Sequence, residues 1–177
     1  MSRSDAPPWS HIVRLSEIGR IAQPVRLEPD AAARGKIAAT LDLIELPRLS
    51  GEVRLTPWLD GVEIVGQWSA EVVYRCGITT DPFGAELNGR FTLRAVPPDS
   101  PQATPPEGEI ELDLESEDPP DVLEDERIDL GGYLIEHLAL ELDPFPRKPD
   151  AVFEPPPPEA PESPFAVLRR LRPEGDS

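Results

Sequence analysis

The sequence predicts an α+β fold: a mostly antiparallel β-sheet, a helix before it, a helix after it, and an acidic loop. Two segments, 61–75 and 83–95, alternate apolar and polar residues over their whole length. Such period-two alternation is typical of half-buried strands in an antiparallel sheet. The segments 29–41 and 129–142 instead carry helix signals, and the acidic loop separates the second of them from the strands.

The first elements are short. Residues 11–18 and 25–27 have apolar residues near every second position, which predicts two short strands. The Ala-rich segment 29–41 opens with Pro29 and Asp30, and these residue types favour the first turn of a helix. We therefore expect a helix between the short strands and the long ones.

The long strands carry the clearest pattern. The apolar side of 61–75 holds Val62, Ile64, Trp68, Ala70, Val72 and Tyr74, and that of 83–95 holds Phe83, Ala85, Leu87, Phe91, Leu93 and Ala95. Val53 and Leu55 continue the alternation upstream, with Leu59-Asp60-Gly61 as the hairpin connection. Gly66 and Gly89 interrupt the two strands, so bulges or bends are expected there.

An acidic stretch over 97–127 follows, with twelve acids and one base. Seventeen of the 24 prolines lie beyond residue 96, and such a segment buries too little apolar surface to offset its chain entropy. A mobile loop is predicted, with an edge strand at Ile110, Leu112 and Leu114 as the alternative. Asp129 then begins a helix over 129–142, which Pro144 and Pro146 end.

These signals predict a single domain over 10–146 that includes the loop 97–127. The remaining residues, 147–177, read as a Pro-rich extended arm with a short terminal helix at 165–172. The N-terminus lacks the apolar run of a signal peptide, and no segment is apolar enough to span a bilayer. A cytoplasmic protein that does not insert into membranes is therefore expected.

Charge and cysteine content restrict the possible partners. The formal charge is −17, of which 97–127 contributes −11 while residues 1–96 are almost neutral. A basic protein is thus an easier partner than nucleic acid, although the charge is also explained by solubility alone. The single cysteine, Cys76, excludes an internal disulfide and the paired thiols of structural zinc sites, so no metal or cofactor is predicted.

Three stretches together resemble the YceD family, the large ribosomal RNA subunit accumulation proteins of bacteria and plastids, and in particular its alphaproteobacterial branch. They are the turn Cys76-Gly77-Ile78-Thr79-Thr80-Asp81-Pro82, the acidic approach to a helix over 124–142, and Asp143-Pro144-Phe145-Pro146-Arg147-Lys148-Pro149 with the terminal 165–168 patch. The resemblance covers roughly residues 10–171. Many family members carry a cysteine pair in the central turn and another after the late helix, which suggests a metal clasp. This chain departs from that pattern because only Cys76 is present.

The resemblance implies a non-enzymatic factor for the synthesis, processing or stability of large-subunit (23S) ribosomal RNA. Two sets of residues are candidate partner sites. The acidic stretch, ending in Glu124, Asp125 and Glu126, is expected to contact a basic ribosomal or assembly protein. Alternatively, Arg75, Arg90 and Arg94 gather on one sheet face and bind RNA directly, or they simply pair with Glu71 and Glu86.

Other possibilities remain open from sequence alone. A hydrolase built on clustered carboxylates and a binding module without a ribosomal role are the competing classes. Cys76 is either a small buried residue or a reactive thiol, and the first interpretation is favoured because no base lies at a suggestive spacing. The oligomeric state is not predicted.

Overall fold

Three long strands form the centre of the fold: β3 (Glu45–Trp58), β4 (Gly61–Arg75) and β5 (Pro82–Val96). They belong to a computed structural model in which residues 7–19, 22–103 and 119–153 are described. Two shorter strands, β2 (Gln23–Leu27) and β6 (Asp121–Val122), complete a sheet of order β2-β3-β4-β5-β6. All neighbours are antiparallel except β6, which runs parallel to β5. The predicted α+β class is confirmed.

The alternation in the sequence does place one face of the sheet in the core. All six apolar residues predicted for that face of β4 are at most 5% exposed. The hairpin between β3 and β4 has the two-residue loop Leu59-Asp60, closed by the pair Trp58 and Gly61. Leu59 adopts a positive φ of 50°, the twist that such tight hairpin loops require.

Of the bulges or bends expected at Gly66 and Gly89, the bulges are absent from this ladder. Both glycines lie in uninterrupted pairing between β4 and β5. A Cβ atom on Gly66 would come within 2.3 Å of the Phe91 ring, and one on Gly89 within 2.7 Å of the Trp68 ring. The glycines are there because each cross-strand neighbour is an aromatic ring that lies over the backbone.

Two helices contribute to the same hydrophobic core. In α1 (Ala31–Thr40) Asp30 is the N-cap and accepts a hydrogen bond from the Ala33 N–H at 2.8 Å, while Ile37 and Ala38 are buried. In α2 (Leu130–Glu141) Leu134 lies over Gly51, and His137 stacks on Phe91 with ring centroids 4.3 Å apart. The second helix therefore covers the core face of the long strands.

The start of α2 is joined to the N-terminal segment. The strands β1 (Ile12–Arg14) and β7 (Arg127–Asp129) pair antiparallel, and α2 begins directly after β7. One carboxylate oxygen of Asp129 accepts hydrogen bonds from the N–H groups of His11, Gly131 and Gly132 at 2.9–3.1 Å. A Cβ on Gly131 would lie 2.7 Å from the His11 nitrogen, so glycine permits this close approach.

Some predictions need correction. Only residues 12–14 of the segment 11–18 are a strand, because Leu15–Glu17 turns into a 3₁₀ helix. The acidic stretch is not a loop throughout, since β6 and the first residue of β7, Arg127, lie within it. Ile110, Leu112 and Leu114 and the terminal segment 165–172 fall outside the described residues. Among the residues described, no helix is long and apolar enough to cross a membrane.

Candidate functional site

Arg75, Arg90 and Arg94 do lie on the same solvated face of the sheet, opposite the core. Their cross-strand neighbours are Pro82 for Arg75, Gln67 for Arg90 and Glu63 for Arg94. Arg90 and Arg94 are four residues apart on β5, about 13 Å at the rise of a strand. Arg75, at the far end of β4, is about 26 Å from Arg90 by the same measure. The structure therefore groups two of the three predicted arginines and leaves Arg75 at the sheet end.

The expected ion pairs with Glu71 and Glu86 do not form. Arg94 instead lies 3.5 Å from Glu63 and 4.7 Å from the centroid of the Trp58 ring. Glu71 pairs with Arg48 of β3 at 3.0 Å. Glu86 stands directly across from Glu71 in the β4–β5 register, so two like charges face each other.

Three further arginines share this face, and the sequence analysis missed them. Arg48 and Arg54 occupy the solvated side of β3, and Arg26 that of β2, where its neighbour is Glu52. The signal was present: Arg48, Ser50, Glu52 and Arg54 are polar at every second position of β3. Extending the alternation upstream from Val53 would have found them.

The arginine face, defined as the solvated side of β2–β5, is concave at its centre. A hollow of about 710 Å³ is lined by Arg26, Glu28, Glu52, Gln67, Asn88 and Arg90, among others. A second hollow of about 470 Å³ adjoins it and adds Arg54. Within the parts of the chain that are described, Arg54, Arg75 and Arg90 form no ion pair. Their guanidinium groups are exposed and able to donate hydrogen bonds to a partner.

The acids at 124–126 form a separate site, the acidic turn. Glu124, Asp125 and Glu126 are all exposed and connect β6 to β7. Asp125 and Glu126 adopt positive φ angles of 52° and 55°, which side chains other than glycine seldom do. The turn is fixed by hydrogen bonds from the Arg127 N–H to the Glu124 carbonyl and from the Leu15 N–H to the Glu126 carbonyl, both 3.0 Å.

Buried residues anchor the acidic turn on both sides. Leu123, 5% exposed, donates its N–H to the Val96 carbonyl at 2.8 Å, and Ile128 is fully buried. The hydroxyl of Tyr133 on α2 donates to Asp121 at 2.8 Å, and burial together with this neighbour raises the pKa of Tyr133. The three carboxylates are thus presented from a fixed backbone.

Cys76 ends β4 and is buried, as expected from sequence. Its Sγ lies 3.4 Å from the backbone nitrogens of Ile78, Thr79 and Lys148. The hydrogen bond from the Thr79 side chain, followed by the backbone contacts with Thr79, Lys148 and Ile78, lowers the pKa of the thiol to about 6. In the described part of the chain no three His, Cys, Asp or Glu side chains are grouped as a metal site would require.

Comparison with known proteins supports the resemblance. The family model described as "Large ribosomal RNA subunit accumulation protein YceD" matches residues 64–171. The match begins within β4 and includes both the Cys76 turn and the acidic turn. Neither the curated proteins nor the solved structures contain a significant match to this chain.

Proposed function

This chain belongs to the YceD family, and on that premise we propose that it is a non-enzymatic cytoplasmic factor for ribosome biogenesis. The family description ties it to the accumulation of large-subunit ribosomal RNA. Our proposal for the mechanism is that it supports synthesis, processing or stability of that RNA by binding a basic ribosomal or assembly protein. The site that we assign to this contact is the acidic turn, Glu124–Glu126.

The observation that carries the proposal is the fixed presentation of three adjacent exposed carboxylates. Backbone held at positive φ in two consecutive residues costs free energy, and such strain is commonly retained where a site needs it. Among the described residues, none of the three acids forms an ion pair, so their charge is available to a partner. Lys and Arg side chains of a basic protein satisfy carboxylates of this kind by charge-assisted hydrogen bonds.

Electrostatics also favours a protein over bare RNA at this site. A chain of charge −17 attracts basic partners over a distance of about a Debye length and repels phosphates. Such steering mainly raises the association rate, and it weakens as salt is added. Binding through the acidic turn should therefore be salt-sensitive and should survive removal of RNA.

The test is an affinity pulldown from native lysate at low salt, with one half treated with nuclease. We expect ribosomal or assembly proteins to be recovered in both halves and to be lost with the triple variant Glu124→Gln, Asp125→Asn, Glu126→Gln. The matched control is Asp42→Asn, Glu45→Gln, Glu141→Gln, which removes the same charge from other exposed positions. Equal recovery with both triple variants would contradict the proposal.

Direct RNA binding by the arginine face is the second candidate. It is favoured by the exposed guanidinium groups of Arg54 and Arg90 beside the central hollow. Phosphate contacts of this kind make affinity fall steeply with salt. Recovery of large-subunit precursors that vanishes with nuclease and with Arg54→Gln, Arg90→Gln would support it. Arg48→Gln is the control, because Arg48 is already paired with Glu71.

A further inference from the structure

The outer edge of β5 is the longest unpaired strand edge in the described residues. β5 pairs with β4 along its whole length, but on its other side only Ala95 and Val96 pair with another described strand, β6. Every second residue from Gly84 to Arg94 therefore points its N–H and C=O groups away from the sheet, and Pro82, which has no N–H, offers only its C=O. Such a row of backbone groups is a template for another strand.

This edge carries little of the protection that natural sheets use against unwanted pairing. The register with β4 has no bulge, and Pro82 stands only at the first position of the strand. On the core face of β5, Phe83, Ala85 and Leu87 are only partly buried. A strand added at this edge would pair the free backbone groups and cover these apolar side chains.

We propose that a second copy of this chain pairs with the β5 edge, strand to strand and antiparallel, about a two-fold axis through Asn88. This inference is independent of the proposed function. In that register Pro82 stands opposite Arg94 of the second copy, so the pairing spans the free edge from end to end. The two five-stranded sheets would become one continuous sheet, and the interface would be the same on both copies, as two-fold symmetry requires.

Charge complementarity selects this register. Placing Asn88 opposite itself puts Glu86 opposite Arg90 of the second copy, twice per dimer. Among the described residues neither forms an ion pair: Glu86 faces Glu71, and Arg90 faces Gln67. Sliding one strand by two residues places Glu86 opposite Asn88 or Thr92 and leaves neither charge paired. Sliding it by four residues places Glu86 opposite Glu86 in one direction and Arg90 opposite Arg90 in the other. Like charges directly opposite each other disfavour both alternatives.

The side chains on the core face of β5 are compatible with the same register. Phe83 stands opposite Leu93 of the second copy, and Ala85 opposite Phe91. Apolar side chains thus meet across the two strands on this face. These pairs are compatible with the alignment that the charge pairs favour.

The test is the mass of the full chain in solution, measured by light scattering and sedimentation velocity from micromolar concentration upward. We expect concentration-dependent formation of a species of twice 19.5 kDa. Glu86→Arg and Arg90→Glu should each weaken dimerisation by about tenfold or more, because each creates two like-charge pairs. The double variant Glu86→Arg, Arg90→Glu should restore it. The control swap Glu52→Arg, Arg54→Glu lies on the same face away from the edge and should have no effect.

A cross-link tests the register directly. In a Cys76→Ala background, Asn88→Cys should form an intermolecular disulfide under oxidising conditions, since it stands opposite its own copy. Thr92→Cys would face Gly84 and should not. A chain that stays monomeric over the whole concentration range overturns the proposal. Protection of the β5 amides from hydrogen exchange in that monomer would show that the edge is covered within one chain. A dimer that ignores the charge swap overturns the register.

Discussion

Two aspartates cap the two helices, and their different surroundings predict different costs of removal. Asp30 caps α1 from an exposed position and accepts one hydrogen bond, from Ala33. Asp129 caps α2 from a partly buried position and accepts three, including one from His11, which lies 118 residues away in sequence. Replacing an N-cap Asp by Ala costs about 1 kcal/mol. The bond from His11 to a charged acceptor adds roughly 1.5–3 kcal/mol.

We therefore expect Asp129→Ala to lower the free energy of unfolding by about 3 kcal/mol and Asp30→Ala by about 1 kcal/mol. Urea denaturation of both variants measures the difference, provided that the m-values stay equal. The loss of unfolding free energy in Asp129→Asn should lie between the losses in those two variants, because its amide oxygen still accepts hydrogen bonds but carries no charge. If Asp129→Ala costs no more than Asp30→Ala, the Asp129 carboxylate does not join β1 to α2 as described.

Three further predictions concern packing and pH. Gly66→Ala and Gly89→Ala should each destabilise the protein by about 1–3 kcal/mol through overpacking against aromatic rings. Gly35→Ala, with open space around its Cα, should instead stabilise α1 by up to about 1 kcal/mol. Thermal denaturation compares the three variants. Leu134→Ala, at a fully buried position, should cost about 2–5 kcal/mol in urea denaturation. For Cys76, folding lowers the pKa from 9.0 to about 6, so its stabilising contribution is complete above pH 9 and is lost as pH falls towards 6. The stability difference between wild type and Cys76→Ala should accordingly grow from pH 6 to pH 9, and a constant difference would contradict the assignment.

The strands and helices were predictable because their signals are local. Alternation in 61–75 and 83–95 fixes which face of each strand is buried, and a one-residue error in register would expose the whole apolar set. The cap at Asp129 follows in the same way from an acidic residue before a leucine-spaced segment. Both signals need only neighbouring residues, and the structure confirms both.

The missed features depend on contacts between distant segments. At Gly89 the sequence predicts a bulge or bend, because nothing in it shows that Trp68 lies across from this glycine. The order of the acidic turn was likewise hidden, because Leu123 and Ile128 are isolated apolar residues in a charged segment. Their anchoring partners, Val96 and the N-terminal strand, are remote in the chain. Composition alone could not show that a highly acidic segment has buried ends.

A single thiol, that of Cys76, lies where the late segment of this chain meets the end of the sheet. The turn after β4 and the segment after α2 meet there: the Gly77 N–H donates to the Pro146 carbonyl at 2.9 Å, and the Lys148 N–H points at the Cys76 sulfur. The ammonium of Lys148 lies 3.6 Å from Asp81, in the same turn. Backbone hydrogen bonds and an ion pair thus join these two segments. Of the three N–H groups near the sulfur, that of Lys148 comes from the late segment, and the thiolate form of Cys76 accepts it most strongly.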